Sequence, residues 1–360
     1  MPIIMIENAS VFDGDGVTDY PSLYFAGNPG NIVGPASDPE STIDGTGCTI
    51  IPGLIDSKVD SGVSPETLPM CAAYGVTTLI DSSSSCAESQ AMRTAAADEP
   101  ALPTFLATGS AIASRNTSVA TLLNYGSLET VTTADEAERV VETKIASKRA
   151  EFIKVIVDQP GLDTNILAAT VRAAHRHGKL AIAHATQCNS YSLAVDAGFD
   201  ILSPVPIDGN IDPEVVTKIV ERGIGVIPTL CFLKQGMPIW KTQNPEYDFS
   251  FAIAAVRTLH DAGARICAGT SANTSRPIAV SHGQGLHDEL QLLTTAGMSN
   301  LEALRAATCQ PTALFGLRDR GIVGVGYRAD LVMVEGNPLD DINFASKIRR
   351  VWVQGVAVNR

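Results

Sequence analysis

Lys58 and Asp60 stand two residues apart in the run Ile51-Pro52-Gly53-Leu54-Ile55-Asp56-Ser57-Lys58-Val59-Asp60. Residues two apart on a strand share a face, so this spacing sets an ammonium beside a carboxylate. A lysine in a low-dielectric pocket can serve as a general base or form a Schiff base with a carbonyl. A carboxylate or a histidine beside it can shuttle protons. A second lysine, Lys154, falls in the apolar run Phe152–Val157, and His184 directly follows the run Leu180–Ala183. Cys231 is expected at a strand end, but no sequence pattern marks it as a nucleophile.

The remaining histidines have plainer readings. His175 and His177 lie in a helical pattern ending at Gly178 and are expected to cover the exterior or help cap that helix, and His260 also sits in a helical pattern. His282 and His287 flank a helix start, where a loop could bring His282 to substrate. Between them and the last apolar run, Ser271 to Ser281 reads as a loop with Asn273 and Arg276 at a pocket mouth. Phe232, Trp240 and Tyr247 fall in a long segment that reads equally well as an apolar lid or as packing.

The elements that must position these groups alternate. Strand-like runs occur at Gly53–Asp56, Thr77–Ile80, Thr104–Ala107, Phe152–Val157, Leu180–Ala183, Asp200–Leu202, Gly225–Pro228 and Ala264–Ala268. Helical patterns separate most of them. Thr133-Ala134-Asp135-Glu136 reads as a capping box before Ala137, Val140, Val141 and Ile145. Asp163 to His177 reads as a helix stopped by Gly178, and Leu286, Leu290 and Leu293 as the stripe of another stopped by Gly297. Ser299-Asn300-Leu301-Glu302 opens a further helix. Eight β–α alternations predict a (β/α)8 barrel over residues 51–321. Residues 1–50 and 322–360 are β-rich with turn punctuation and predict one small β-sandwich built from both termini.

With 45% hydrophobic and 18% charged residues, the 360-residue chain reads as globular with a sizeable core. A formal net charge of −13 argues against nucleic-acid or anionic-membrane partners, which require basic patches. No window reaches the ~18 apolar residues of a membrane span, and the N-terminus lacks the pattern of a signal peptide. Seven scattered cysteines without a C-x-x-C fit a reducing, cytosolic compartment. The expected partner is a small-molecule substrate.

Ile51 to Asp60 resembles the first barrel strand of the metal-dependent amidohydrolase superfamily, whose motif runs P-G-L-I-D-x-H-x-H. Asn8 to Gly14 and Ile43 to Gly47 resemble its N-terminal sandwich, Gly75-Val76-Thr77-Thr78 its second strand, and Gly324 to Leu331 its return to the sandwich. Phe152-Ile153-Lys154-Val155 and His282 to Leu290 are similar to the imidazolonepropionase-like and prolidase-like branch. The resemblance implies metal-ligand positions at Lys58 and Asp60, both normally histidine, at Lys154 and His184, which keep the family's residue types, and at Pro204 and Ser271, normally histidine and aspartate. It implies that Lys58, Asp60, Lys154 and His184 surround one pocket with Ser271 at its rim. Homo-oligomerisation is an expectation from the resemblance alone.

Pro204 offers no side-chain ligand and Ser271 a poor one, whereas a catalytic metal wants three or more. A lysine ammonium at ~4 Å would oppose a dication by roughly 8 kcal/mol at an effective dielectric of ~20. No cofactor is therefore expected. Three readings stand. In the first, Lys58, with Asp60, Lys154 and His184, runs metal-independent isomerisation, cyclisation, elimination, decarboxylation or retro-aldol chemistry, with Ser271, His282, Asn273 and Cys231 contacting substrate. In the second, one divalent metal such as zinc on Asp60, His184 and a modified Lys154 hydrolyses an amide, lactam or lactone. In the third, Lys58 and Asp60 only fill a vacated metal site in a non-catalytic binder.

Overall fold

A computed structural model describes residues 2–27, 30–60, 64–117, 128–147, 150–273 and 278–359. Arg276, expected at the pocket mouth, lies outside them. The N-terminal segment forms β1 (Ile3–Phe12), β2 (Val17–Ala26), β3 (Ile32–Val33), β4 (Ser41–Asp44) and β5 (Cys48–Pro52). The β1–β2 turn is closed by the Asp13 carboxylate, which accepts the backbone N–H groups of Asp15 and Gly16 at 2.9 Å. Asp and Gly favour such turns for these reasons.

Eight parallel strands follow at the expected runs: β6 (Leu54–Val59), β7 (Val76–Asp81), β8 (Thr104–Ala107), β11 (Ile153–Ile156), β12 (Ala181–His184), β13 (Ile201–Ser203), β14 (Gly225–Val226) and β15 (Arg265–Ile266). Two three-residue strands, β9 (Ala111–Ala113) and β10 (Leu128–Thr130), were not expected, being too short to show a period. The connecting helices are α1 (Thr67–Ala73), α2 (Cys86–Asp98), α3 (Ala134–Ala146), α4 (Thr164–Arg176), α5 (Cys188–Ala197), α6 (Pro213–Glu221), α7 (Leu230–Gln243), α8 (Phe249–Asp261), α9 (Gln284–Thr295), α10 (Asn300–Ala306) and α11 (Cys309–Phe315). The chain ends in β16 (Leu331–Glu335), β17 (Ile348–Val353) and β18 (Val356–Ala357).

The caps show how far local sequence decides these boundaries. At α10 the reciprocal box forms: Ser299 Oγ accepts from Glu302 N–H at 3.3 Å, and the Glu302 carboxylate accepts from Ser299 N–H at 2.8 Å. At α3 only half forms. Thr133 accepts from Glu136 N–H, but the Glu136 carboxylate turns to the backbone and hydroxyl of Thr132 instead. Gly178 and Gly297, beyond α4 and α9, take φ +64° and +116°, values that favour glycine. No helix among the described residues is long and apolar enough to cross a membrane.

Strands from both ends of the chain join in one eight-stranded sheet, ordered β18-β17-β16-β5-β1-β2-β3 with β4 also on β1. Ile6, Val11, Phe25, Ile50, Leu331 and Trp352 fill its core. The middle forms two parallel sheets, β6-β7-β8 and β10-β9-β11-β12-β13-β14-β15. Backbone hydrogen bonds tie them at both edges. On one side, Glu151 N–H, just before β11, donates to Ala107 O of β8 at 2.8 Å. On the other side, Ser57 N–H donates to Ala268 O and Asp60 N–H to Ala272 O, both at 2.9 Å. That second seam lies under the chemistry.

Candidate active site

The seam between β6 and the segment after β15 is set by small residues and one buried acid. A methyl on Gly269 would sit 2.8 Å from Lys58 N and 2.5 Å from Ile227 Cγ2, so only glycine lets the two backbones approach. Next to it, the buried Asp56 carboxylate accepts Thr270 N–H at 3.0 Å, Thr270 Oγ1–H at 2.7 Å and Lys58 N–H at 3.3 Å. Burial pushes the Asp56 carboxyl up to about 7 against these bonds. The clamp locks Lys58 opposite Ser271, whose N–H donates to Lys58 O at 2.8 Å.

The side chains then converge. Lys58 Nζ lies 3.1 Å from Asp60 Oδ2, donates to Ser271 Oγ, and stands 5.8 Å from the centre of the Phe232 ring. Lys154 Nζ lies 3.4 Å from Asp60 Oδ1 and donates to Ser82 Oγ at 3.1 Å; Ser82 in turn donates to Asp60 Oδ1 at 2.9 Å. One carboxylate thus serves two ammonium groups. Burial opposes its charge, but Lys58 and Lys154, with the Ser271 and Ser82 hydroxyls, outweigh that and hold Asp60 well below the usual carboxylate range.

His184, at the end of β12, is fully buried, with Nε2 3.5 Å from Asp158 Oδ2. Burial and the neighbouring Lys154 and Lys58 hold its imidazole well below the ordinary histidine range, so it is neutral at pH 7. Asp158 accepts from Thr186 N–H and Oγ1–H at 2.7 and 2.6 Å, and burial raises it to about 6.

The structure therefore brings Lys58, Asp60, Lys154 and Ser271 into one hydrogen-bonded cluster, with His184 within electrostatic reach. Asn273 supports it from the backbone, its Nδ2–H donating to Ser271 O at 2.7 Å. Pairing of Asn273 with Val280 folds the chain back toward His282, which is buried and near enough to feel the Asp60 charge. Burial pushes the His282 ring down to about 4.

Cys231 does not sit at a strand end. It occupies the first turn of α7, where the buried Glu289 carboxylate accepts both its N–H and that of Leu230 at 2.8 Å. Burial and Glu289 push the thiol far up, and it donates to Gly285 O, an environment that disfavours the thiolate. Phe232 and Trp240, both on the same helix, pack edge to face at 6.0 Å, while Tyr247 Oη accepts from Gln187. His287 Nε2 pairs with Tyr74 O, His175 with Asp200 and His260 with Glu302, all structural partners. Pro204 contributes its carbonyl to the Tyr191 hydroxyl at 2.6 Å.

Sequence reasoning missed Ser82, Asp56 and Asp158. The run Asp81-Ser82-Ser83-Ser84-Ser85, directly after a strand, was the available signal for the first. Asp158 closes the Lys154 run and could have been read the same way. For Asp56 no local pattern distinguishes a clamp from an inert strand residue.

Comparison with known proteins gives the chain relatives. The model of the amidohydrolase family matches residues 66–358. The chain belongs to the amidohydrolase family. It is 28% identical to an ochratoxinase of Aspergillus niger over 222 residues, covering 57% of this chain and 40% of that protein. It is 34% identical to the imidazolonepropionase of Deinococcus deserti over 105 residues, covering 28% and 26% of the two chains. The aligned region thus spans less than half the length of either relative. Its fold is shared with the crystal structure of a Xaa-Pro dipeptidase with methionine bound in the active site, with a TM-score of 0.83, 21% identity, and 99% and 100% of the two chains covered.

For the divalent metal that this family implies, the unmodified side-chain donors at the cluster are few. Asp60 is already committed to two ammonium groups. Among the described residues, no three His, Cys, Asp or Glu side chains come together to hold an ion.

Proposed function

We propose that this amidohydrolase-family chain is an enzyme acting on a small organic molecule through a lysine–carboxylate cluster that takes the place of the metal centre. We read its two tied parallel sheets as a (β/α)8 barrel over residues 51–321, carrying the pocket beside a terminal β unit of residues 1–50 and 322–360. The observation that carries the reading is the buried contact of Lys58 Nζ with both Asp60 and Ser271. Lys58 is the central base or electrophile and Asp60 orients it. Lys154 and the neutral His184 donate or accept protons around the reacting carbonyl. With two ammonium groups and one carboxylate, the cluster favours substrates that carry or develop negative charge. The methionine in the dipeptidase site is one example of a carboxylate-bearing ligand held by this fold.

A second reading is hydrolysis at one metal held by Asp60, His184 and a modified Lys154. It is favoured by the hydrolytic name of the dipeptidase that shares the fold. The deciding experiment screens chelator-treated protein against carboxylate-bearing amides, esters, lactones and β-keto acids. Turnover that survives the chelator and disappears in Lys58→Met supports the lysine reading. Turnover that needs added zinc overturns it, and an array without turnover but with saturable binding points to a binder.

A further inference from the structure

We infer that Ser271 is the nucleophile of this site and Lys58 the base that activates it, which makes the protein an acyl-transferring hydrolase of a small amide or ester. This rests on the lysine-based reading above and assigns its reaction class.

Several observations single out Ser271. Its Oγ accepts directly from Lys58 Nζ, and both residues are buried, at 0% and 1% exposure. Its backbone is left-handed, with φ +51° on a residue that is not glycine. Such a conformation persists only where the surroundings over-determine it, and these positions gather at functional sites. The surroundings here are explicit: the Asp56–Thr270 clamp, Ser271 N–H on Lys58 O, and Asn273 Nδ2–H on Ser271 O. A serine forced onto a sharp turn just beyond a strand is the arrangement that presents Oγ for attack. Asp60, 3.1 Å from Lys58 Nζ, is the third member that orients the base.

Ser82 is the rival, since it contacts Lys154 and Asp60. It lacks the left-handed backbone, and the ammonium it meets is that of Lys154, not Lys58.

The chemistry balances without any co-reactant other than water. Loss of one proton from the Lys58 ammonium to solvent frees the amine, which then takes the Ser271 hydroxyl proton as Oγ bonds to the carbonyl carbon and the π pair moves to oxygen. His282 supplies an N–H to that oxygen: the ring is buried, and neither of its nitrogens has a hydrogen-bond partner among the described residues. Collapse breaks the C–N or C–O bond, and the Lys58 ammonium returns its proton to the leaving amine or alkoxide. Water, deprotonated by Lys58, then releases the acyl group as a carboxylic acid and restores Ser271.

The test uses 4-nitrophenyl acetate with full-length protein in excess chelator, followed by rapid acid quench, intact mass and peptide mapping. The variants are Ser271→Gly, which accepts φ +51° without strain, and Lys58→Arg, which keeps a cation beside Asp60 but cannot deprotonate. The expected result is a nitrophenolate burst with acetyl on Ser271. The adduct should be absent in Ser271→Gly and formed at least about 100-fold more slowly in Lys58→Arg. Acetyl on Lys58 or Ser82, or none on Ser271, overturns the assignment. In that event, chelator-resistant turnover lost in Lys58→Arg leaves the lysine reading standing, whereas zinc-dependent turnover removes both.

Discussion

Replacing Asp60 by Asn removes the one carboxylate that two buried ammonium groups share. The N–O distances of 3.1 and 3.4 Å give gross attractions of about 5 kcal/mol each at an effective dielectric near 20. The measurable loss is smaller, because a lysine left unpaired sheds its proton or draws in water. Breaking a buried pair by removing one partner costs about 3–5 kcal/mol. For a 360-residue chain, an unfolding entropy near 2.1 cal/mol/K per residue converts this to a fall in Tm of about 4–7 °C. Asp60→Asn should therefore melt that much lower at pH 7, and adding Lys58→Met should recover part of the loss.

The same pair sets a pH signature. The Asp60 carboxyl lies below its ordinary value of 3.8 in the folded state, so its contribution is present above that value and fades as pH falls through the folded one. The gap between native protein and Asp60→Asn should shrink below about pH 4. Differential scanning calorimetry from pH 3 to 8 reads both effects. An Asp60→Asn protein melting within 1 °C of the native chain at pH 7 would refute the idea that this carboxylate neutralises the cluster.

Three further substitutions probe the frame around the site. Glu289 is raised by burial to about 7 from 4.5, so it favours folding below about pH 4.5 and this is lost as pH rises toward 7. Glu289→Gln should flatten that loss, of about 3 kcal/mol, in urea unfolding at pH 5 and 8. Gly269→Ala forces a methyl against Lys58 N and Ile227, and should cost about 1–3 kcal/mol while displacing Lys58 and abolishing turnover. Thr270→Val leaves one Asp56 oxygen and the Ala272 N–H without their hydroxyl partner, and should cost about 1–3 kcal/mol by the same assay.

The alternation of strands and helices was legible because each run carries its own period and stop signal, as Leu286, Leu290, Leu293 and Gly297 do for α9. Strands β9 and β10 were not, since three residues hold no period. At α3, Glu136 prefers Thr132 to Thr133, a choice between adjacent donors that the capping pattern does not distinguish. In the site, the shared face of Lys58 and Asp60 followed from strand geometry, and the family resemblance supplied Lys154 and His184. The left-handed turn at Ser271 could not be read. It results from Asp56 and Thr270, 214 positions apart, meeting across the seam. Cys231 was misplaced because the run Gly225–Pro228 gives way to a helix capped by Glu289, again a distant partner.

The charge inventory of the cluster carries one more consequence. Lys58 and Lys154 share the Asp60 carboxylate, and His184 is neutral. Burial raises the nearby Asp56 and Asp81 to about 7 and Asp158 to about 6, so each holds its charge less readily than an exposed carboxylate does. Two ammonium groups around one shared carboxylate suit an entering anion, and a substrate carboxylate is the natural candidate. Small monocarboxylates should then stabilise the folded chain by mass action, about 2.7 kcal/mol at a hundred times their Kd. That corresponds to a rise in Tm of roughly 3–4 °C for a chain of this length. Lys58→Met removes one of these ammonium groups and should remove the rise. If chloride at equal ionic strength raises Tm as much as acetate or N-acetylglycine does, the effect is screening, and the cluster has no preference for a carboxylate.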